Sequence, residues 1–168
     1  FPENEIKTLF NYFPPNSKIA LIYPQNSYGY RISNLADSIS ESSKSIIVNR
    51  ASYKEDLTDI RVSIKELGKY ELRKYELNRQ KKILALKKDQ DSKNRLKRLE
   101  KFVTTNDYDF THIIIADYGL RLLQVAPLLA YYDIDPNVVK FVGTGAWDDF
   151  IFFNEPSLQG SIFPGIEY

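Results

Sequence analysis

Short apolar runs alternate with longer amphipathic stretches through most of the chain, which is the pattern of a protein built from alternating strands and helices. Four runs, bounded by turn residues, predict buried strands at residues 18–23, 45–48, 111–116 and 138–142. Apolar residues spaced three or four apart predict amphipathic helices over residues 3–13, 32–39 and 120–132. A fifth strand is predicted at residues 158–163, before Pro164 and Gly165.

Strands that alternate with helices favour an α/β fold with a doubly wound, Rossmann-like parallel sheet. We expect the strand order 2-1-3-4-5 and a single domain that spans residues 1–168. Residues 56–108 depart from this scheme, because one crossover helix needs far fewer residues than lie between the second and third strands. The segment is highly charged and predicts an insertion of two or three helices.

Polar and aromatic residues follow the predicted strands, at the edge where ligands of open parallel sheets bind. Tyr28 follows the first strand, Asp117 and Tyr118 follow the third, and Trp147 and Asp148 follow the fourth. Aromatic side chains there offer broad contact area with a polar tip to a ligand or a protein partner. Alternatively, they cover the top of the sheet as part of the core.

The absent residues exclude several kinds of chemistry. The chain has no cysteine, which removes disulfides, thiolate nucleophiles and cysteine-based zinc sites. Its one histidine, His112, begins a strand at the end opposite the predicted ligand edge, and we expect a solvated or core-edge residue. The phosphate-binding glycine patterns are missing, since Gly143 and Gly145 lack a third glycine at Asp148. We therefore expect no nucleotide or other cofactor.

Three carboxylates leave one enzymatic alternative open. Asp117, Asp148 and Asp149 follow neighbouring strands, so together they could hold a divalent cation or perform acid–base catalysis. The simpler interpretation is that one aspartate caps the following helix while the others face water. We expect the protein to have no catalytic or metal-binding residues.

Charge is concentrated in the helical insertion, although the net charge of the chain is only +1. Residues 65–101 hold 14 of the 23 basic residues and 6 of the 22 acidic residues. Because acids are interleaved with the bases and no nucleic-acid-binding module is recognisable, we expect a solvated helix face and no nucleic-acid partner. A helix that docks on a protein is the second interpretation.

The turns and their flanking strands together resemble a known family. Residues 116–119 (A-D-Y-G), 126–132 (A-P-L-L-A-Y-Y), 142–145 (V-G-T-G) and 147–149 (W-D-D) are similar to the penicillin-binding protein activators. The opening residues and the pattern G-x-Y-x-x-R-K at residues 68–74 also match. That family is a branch of the periplasmic binding proteins of the leucine/isoleucine/valine type.

The resemblance implies the second lobe of a two-lobed periplasmic protein, anchored to a membrane only through a lipid outside this chain. It implies a non-catalytic lobe that activates a peptidoglycan synthase by protein contact. The alternative is a substrate-binding component of an ABC transporter for an amino acid or similar solute held between the lobes. Contacts carried over from the superfamily fall on Tyr28, Asp117, Tyr118, Thr144 and Trp147. Transport-type relatives often have Pro-Glu-Gly after the fourth strand, whereas this chain has Thr144 to Trp147.

Overall fold

The computed structural model describes residues 2–144, which form four parallel strands and six helices. In chain order they are α1 (Pro2–Tyr12), β1 (Lys18–Pro24), α2 (Ser27–Glu41), β2 (Ile46–Tyr53), α3 (Ile60–Leu67), α4 (Tyr70–Leu86), α5 (Gln90–Leu99), β3 (His112–Ile115), α6 (Gly119–Tyr131) and β4 (Lys140–Gly143). No helix among the described residues is long and apolar enough to cross a membrane.

The four strands form one sheet in the order β2-β1-β3-β4, and every pair is parallel. The predicted α/β class and the predicted order of the first four strands are therefore confirmed. β1 is central because Ile19 pairs with Ile47 on one side and with His112 on the other. The predicted fifth strand, at residues 158–163, lies outside the described residues.

Alternation along β1 divides the core into two layers, one on each face of the sheet. Ala20 and Ile22 point to the face covered by α3 and α6. Ile19 and Leu21 point to the other face, which α1 and α2 cover. Because both faces are buried, the strands are apolar at consecutive positions, as is typical of parallel sheets.

β2 is longer than its apolar run predicts, since it extends through Tyr53 and does not end at Val48. Polar residues such as Asn49, Arg50 and Ser52 fit this strand because β2 is the outer strand of the described sheet on that side. Arg50 also forms an ion pair with Asp37 on α2. The extension matters because it carries Tyr53 to the carboxyl edge of the sheet.

The charged insertion consists of three helices, α3, α4 and α5, within the predicted range of two or three. α3 packs on the sheet through Ile64 and Leu67, whereas α4 and α5 pack chiefly against each other. Arg73 on α4 is buried and ties the insertion to the domain. Its guanidinium donates to the carbonyl oxygens of Gly68 (2.7 Å), Thr105 (2.8 Å) and Asp133 (3.0 Å).

Candidate functional site

The turns that follow β1 and β3 meet the end of β4 at one edge of the sheet. This candidate site contains Tyr28, Tyr53, Asp117, Tyr118 and Thr144, linked by hydrogen bonds and ring contacts. Tyr28, Asp117 and Tyr118 were predicted from the rule that strand ends share an edge, and Thr144 from the family resemblance. The structure therefore brings together every predicted site residue that it describes.

The start of α2 fixes the position of Tyr28. The side chain of Asn26 caps the helix by accepting a hydrogen bond from the Gly29 amide at 2.8 Å. Gly29 lies so close to β1 that a Cβ atom there would be 1.9 Å from the Pro24 carbonyl oxygen. Only glycine permits this approach, which places the neighbouring Tyr28 over the end of the sheet.

Tyr28 joins the first and fourth strand ends through its hydroxyl group, which lies 2.5 Å from the Thr144 hydroxyl oxygen. Either group can donate in this hydrogen bond. Burial raises the pKa of Tyr28 to about 12, so the phenol is protonated at neutral pH. The ring also meets that of Tyr118 edge to face, with centroids 5.0 Å apart.

Asp117 is fully buried beneath these rings and accepts four hydrogen bonds. The donors are the Tyr53 hydroxyl at 2.6 Å, the Tyr118 amide at 2.8 Å, and Nε and Nη2 of Arg121 at 3.2 and 3.3 Å. Asp117 precedes Tyr118, the N-cap residue of α6, and that helix start has no side-chain cap hydrogen bond, so the capping interpretation is wrong for Asp117. Both carboxylate oxygens are occupied by protein donors.

Arg121 lies between two carboxylates at this edge. Besides Asp117, its guanidinium contacts Glu55, with Nη1 3.3 Å from the glutamate oxygen. Burial lowers the pKa of Arg121, but the hydrogen bond to Asp117 and the charges of Asp117 and Glu55 outweigh burial and raise it. The guanidinium is therefore a fixed cation whose charge is already compensated within the protein.

Tyr53, Glu55 and Arg121 were missed by the sequence-based interpretation. Tyr53 was missed because β2 was predicted to end at Val48, five residues too early. Burial, followed by the charge of Asp117, raises the pKa of Tyr53, which keeps its hydroxyl a donor. Arg121 had a sequence signal, since it follows Asp117 by four positions on the helical side of the turn.

The remaining predicted residues have no described environment. Trp147, Asp148 and Asp149 lie outside the described residues, so the alternative of a metal site formed by three aspartates is not tested. Between residues 2 and 144, no group of three histidine, aspartate or glutamate side chains is arranged to hold a metal ion. Within that range, Asp117 is engaged with protein donors and is not directed at a vacant ligand position.

His112 lies at the opposite edge of the sheet, as its position in the sequence predicts. It is nearly buried, its ring lies 4.8 Å from that of Phe13, and Nδ1 is 2.7 Å from the Thr111 hydroxyl. Burial and the nearby charge of Lys140 lower its pKa. It is a core-edge residue and takes no part in the candidate site.

The exposed part of the carboxyl edge is aromatic and apolar. Tyr118 is 46% exposed and Leu120, on the first turn of α6, is 74% exposed. Tyr30 on α2 is also exposed, and its ring contacts that of Tyr23 at 6.1 Å. Aromatic side chains such as Tyr118 and Tyr30 are of a type enriched where proteins contact one another.

Comparison with known proteins finds likeness in structure alone. No family model matches the chain, and no curated protein matches it in sequence. A substrate-binding periplasmic protein from Ralstonia solanacearum superimposes with a TM-score of 0.56 at 10% identity. The match covers 94% of this chain and 33% of that protein, so the chain spans about a third of the length of its structural relative.

Two further solved structures are similar to a smaller degree. An ABC transporter substrate-binding protein from Desulfitobacterium hafniense has a TM-score of 0.47 at 16% identity, over 88% of this chain and 32% of that protein. A branched-chain amino acid ABC transporter periplasmic ligand-binding protein from Burkholderia xenovorans has a TM-score of 0.49 at 10% identity, over 85% and 29%. The described residues of this chain thus share the α/β fold of part of a substrate-binding periplasmic protein.

Proposed function

We propose that the chain is a non-catalytic lobe of a two-lobed periplasmic protein that binds a protein partner, a peptidoglycan synthase, and thereby activates it. The contact surface is the carboxyl edge of the sheet, with Tyr118 and Leu120 at its centre and Thr144 at the end of β4. Trp147 and Asp148, which follow Thr144 in the sequence, stay predicted contacts. In this proposal the full-length protein is held at a membrane by a lipid anchor outside the chain.

The choice of a protein partner over an amino-acid ligand rests on Asp117, because all of its hydrogen bonds are already made to protein donors. An amino-acid ligand needs a carboxylate for its ammonium group and a cation or free amide groups for its carboxylate. At the described edge, Asp117 is buried and already accepts four hydrogen bonds, while Arg121 is compensated by Asp117 and Glu55. We therefore assign Asp117 a positioning role, in which it fixes Tyr118 and Arg121.

The exposed side chains at this edge also support a protein partner. Tyr118 and Leu120 present apolar area outward while their backbone is fixed by α6 and by the Asp117 hydrogen bond. Tyrosine is among the residues that most often carry the binding energy of protein interfaces, and the apolar Leu120 beside it enlarges the contact. Nothing in this arrangement requires a cofactor.

Capture of the synthase from the same organism by the full-length protein tests this proposal. We expect Tyr118→Ala and Leu120→Ser to weaken binding of the purified bifunctional penicillin-binding protein by about tenfold each. Val138→Ser, at an apolar position at the other end of the sheet that is 49% exposed, close to the 46% of Tyr118, is the control and should leave binding unchanged. Undiminished capture by both edge variants, or no effect on glycan polymerisation, would contradict the proposal.

The second candidate is a substrate-binding component of an ABC transporter. It is favoured by the fold that the chain shares with the Ralstonia solanacearum protein. In that case a small solute lies between the two lobes and contacts the Tyr28–Thr144 pair. A thermal-shift screen of the full-length protein separates the two candidates, because a ligand at 100 times its dissociation constant adds about 2.7 kcal/mol of stability. A large shift with an amino acid favours transport.

A further inference from the structure

The outer face of α4 carries an apolar stripe that nothing covers among the described residues. Leu72, Tyr75, Ile83 and Leu86 are exposed by 56%, 64%, 42% and 84%. At 3.6 residues per turn, these positions and Arg79 fall within an arc of about 80°. The opposite side of α4 holds its buried residues, among them Leu77 and Leu84, so the helix is apolar on two faces.

The two ends of this stripe differ, since one presents a protruding side chain and the other an open groove. At the C-terminal end, Leu86 is the most exposed large apolar side chain of the described chain. At the N-terminal end, an open groove of about 380 Å³ lies between α3 and α4. Val62, Tyr70 and Leu72 supply much of its apolar lining. Leu86 and Leu72 are 14 residues apart, or about 21 Å along the helix.

From these two features we infer that α4 pairs with α4 of a second copy of this chain in an antiparallel, two-fold symmetric contact. The symmetry axis passes beside Arg79, so that Leu86 of each copy enters the groove beside Leu72 of the other. A two-fold contact uses the same patch on both subunits, and the stripe meets this requirement because Leu72 and Leu86 lie equally far from Arg79.

Charge along the face favours the antiparallel direction. The N-terminal half carries Glu71, which lies 4.0 Å from Lys65 of α3, and Glu76, whereas the C-terminal half carries Lys82 and is followed by Lys87. Antiparallel pairing places Glu71 and Glu76 of each copy opposite the half of the other copy that carries Lys82. Parallel pairing would place like charges together, which destabilises a contact.

The central position is also compatible with a second copy. Arg79 forms an ion pair with Glu76 of its own helix, at 3.1 Å between Nη2 and the carboxylate. Two arginines on the axis are therefore each accompanied by a carboxylate, and Glu76 of either copy is within one helical turn of the facing Arg79. The insertion as a whole has an excess of positive charge, which would favour an acidic partner. The exposed face of α4 is instead balanced, because Glu71 and Glu76 offset Arg79 and Lys82, so this face suits a second copy of the chain.

Sedimentation equilibrium of the chain across about 5 to 500 μM measures this contact directly, a range suited to the weak dimer expected of a small interface. We expect concentration-dependent dimers that Leu86→Glu weakens by at least about tenfold, since the substitution is counted twice in a symmetric dimer. Val138→Glu, exposed but distant from α4, is the control. A chain that stays monomeric, or a dimer that tolerates Leu86→Glu, would overturn the inference.

Disulfide trapping tests the direction, and the lack of native cysteine makes single-cysteine variants unambiguous. Arg79→Cys should cross-link to itself, whereas Leu72→Cys and Leu86→Cys should cross-link only when mixed. Lys93→Cys on α5 is the negative control. Self-cross-linking of Leu72→Cys would show a parallel pair and overturn the arrangement. Binding of a monomeric chain to phosphatidylglycerol vesicles, lost in Leu86→Glu, would assign the stripe to a membrane surface instead.

Discussion

The hydroxyl group of Tyr53 donates a 2.6 Å hydrogen bond to the carboxylate of Asp117, although 64 positions separate the two residues in the chain. Both side chains are fully buried, at the ends of β2 and β3. These strands do not pair with each other, since β1 lies between them. The hydrogen bond therefore passes across the end of the central strand and links the end of β2 to the end of β3.

Loss of this hydrogen bond should destabilise the fold without changing its shape. Tyr53→Phe leaves the ring in place but removes one donor from a buried carboxylate, at a cost of about 1 to 3 kcal/mol in the free energy of unfolding. Urea denaturation measures the change. The control is Tyr30→Phe at an exposed position, which should change stability by less than about 0.5 kcal/mol. Equal stability of the two variants would contradict the structural role of the Tyr53 hydroxyl.

The two glycines that flank the site should respond differently to alanine. In Gly29→Ala the new Cβ atom would lie 1.9 Å from the Pro24 carbonyl oxygen, so α2 or β1 must move. We expect a loss of about 3 kcal/mol, at the upper end of the cost of overpacking.

Gly119→Ala is the matched comparison, because its Cβ would meet no atom within 4 Å. Only its positive φ of +66° opposes the substitution, at a cost of about 1 kcal/mol. Thermal unfolding of both variants shows directly which substitution costs more stability. A greater loss for Gly119→Ala would show that the close approach of α2 to β1 is not the stronger constraint.

The buried guanidinium of Arg73 should be irreplaceable. It donates to three carbonyl oxygens and to the Thr104 hydroxyl, and its plane lies over the ring of Tyr108 at 4.6 Å. Lysine keeps the charge but cannot span these acceptors, so Arg73→Lys should cost at least about 2 kcal/mol.

Hydrogen exchange shows which part of the protein is destabilised by Arg73→Lys, and by how much. In Arg73→Lys we expect faster exchange of amides in α4 and α5 than in the sheet, because Arg73 joins the insertion to Asp133 after α6. Lys74→Met, at the exposed neighbouring position, is the control and should leave exchange unchanged. Uniform acceleration across the whole domain would contradict a local fastening role.

Local sequence patterns were sufficient for the sheet and for part of its edge. Tyr28, Asp117 and Tyr118 follow apolar runs, so the rule that parallel strands end at one edge placed them together. Tyr53 was not found because β2 is an outer strand, and an outer strand needs apolar residues at fewer positions. The polar residues Asn49 and Arg50 of β2 therefore resemble a turn in the sequence.

Burial of a charged residue was harder to predict, since it depends on distant backbone. Arg73 lies in a run of lysines and arginines and resembles its solvated neighbours in the sequence. Its acceptors include the Asp133 carbonyl, which is 60 positions away. No pattern near Arg73 indicates that these carbonyl oxygens converge on it, and only the folded chain brings them together.

The single histidine should give the protein a measurable dependence of stability on pH. Burial, followed by the charge of Lys140, lowers the pKa of His112 below its ordinary value of 6.5. The folded protein therefore binds this proton less readily than the unfolded chain does. The stability that the neutral His112 side chain contributes is therefore fully present above pH 6.5 and is lost as the pH falls from there toward the folded-state pKa.

Urea denaturation at intervals between about pH 5 and 7 isolates this residue, because most carboxylates titrate below that window. We expect the wild-type free energy of unfolding to fall with decreasing pH and His112→Asn to show a flatter profile. The chain has no other histidine, so no second imidazole can supply the slope. A slope that persists unchanged in His112→Asn would show that burial beside Phe13 does not disfavour the imidazolium.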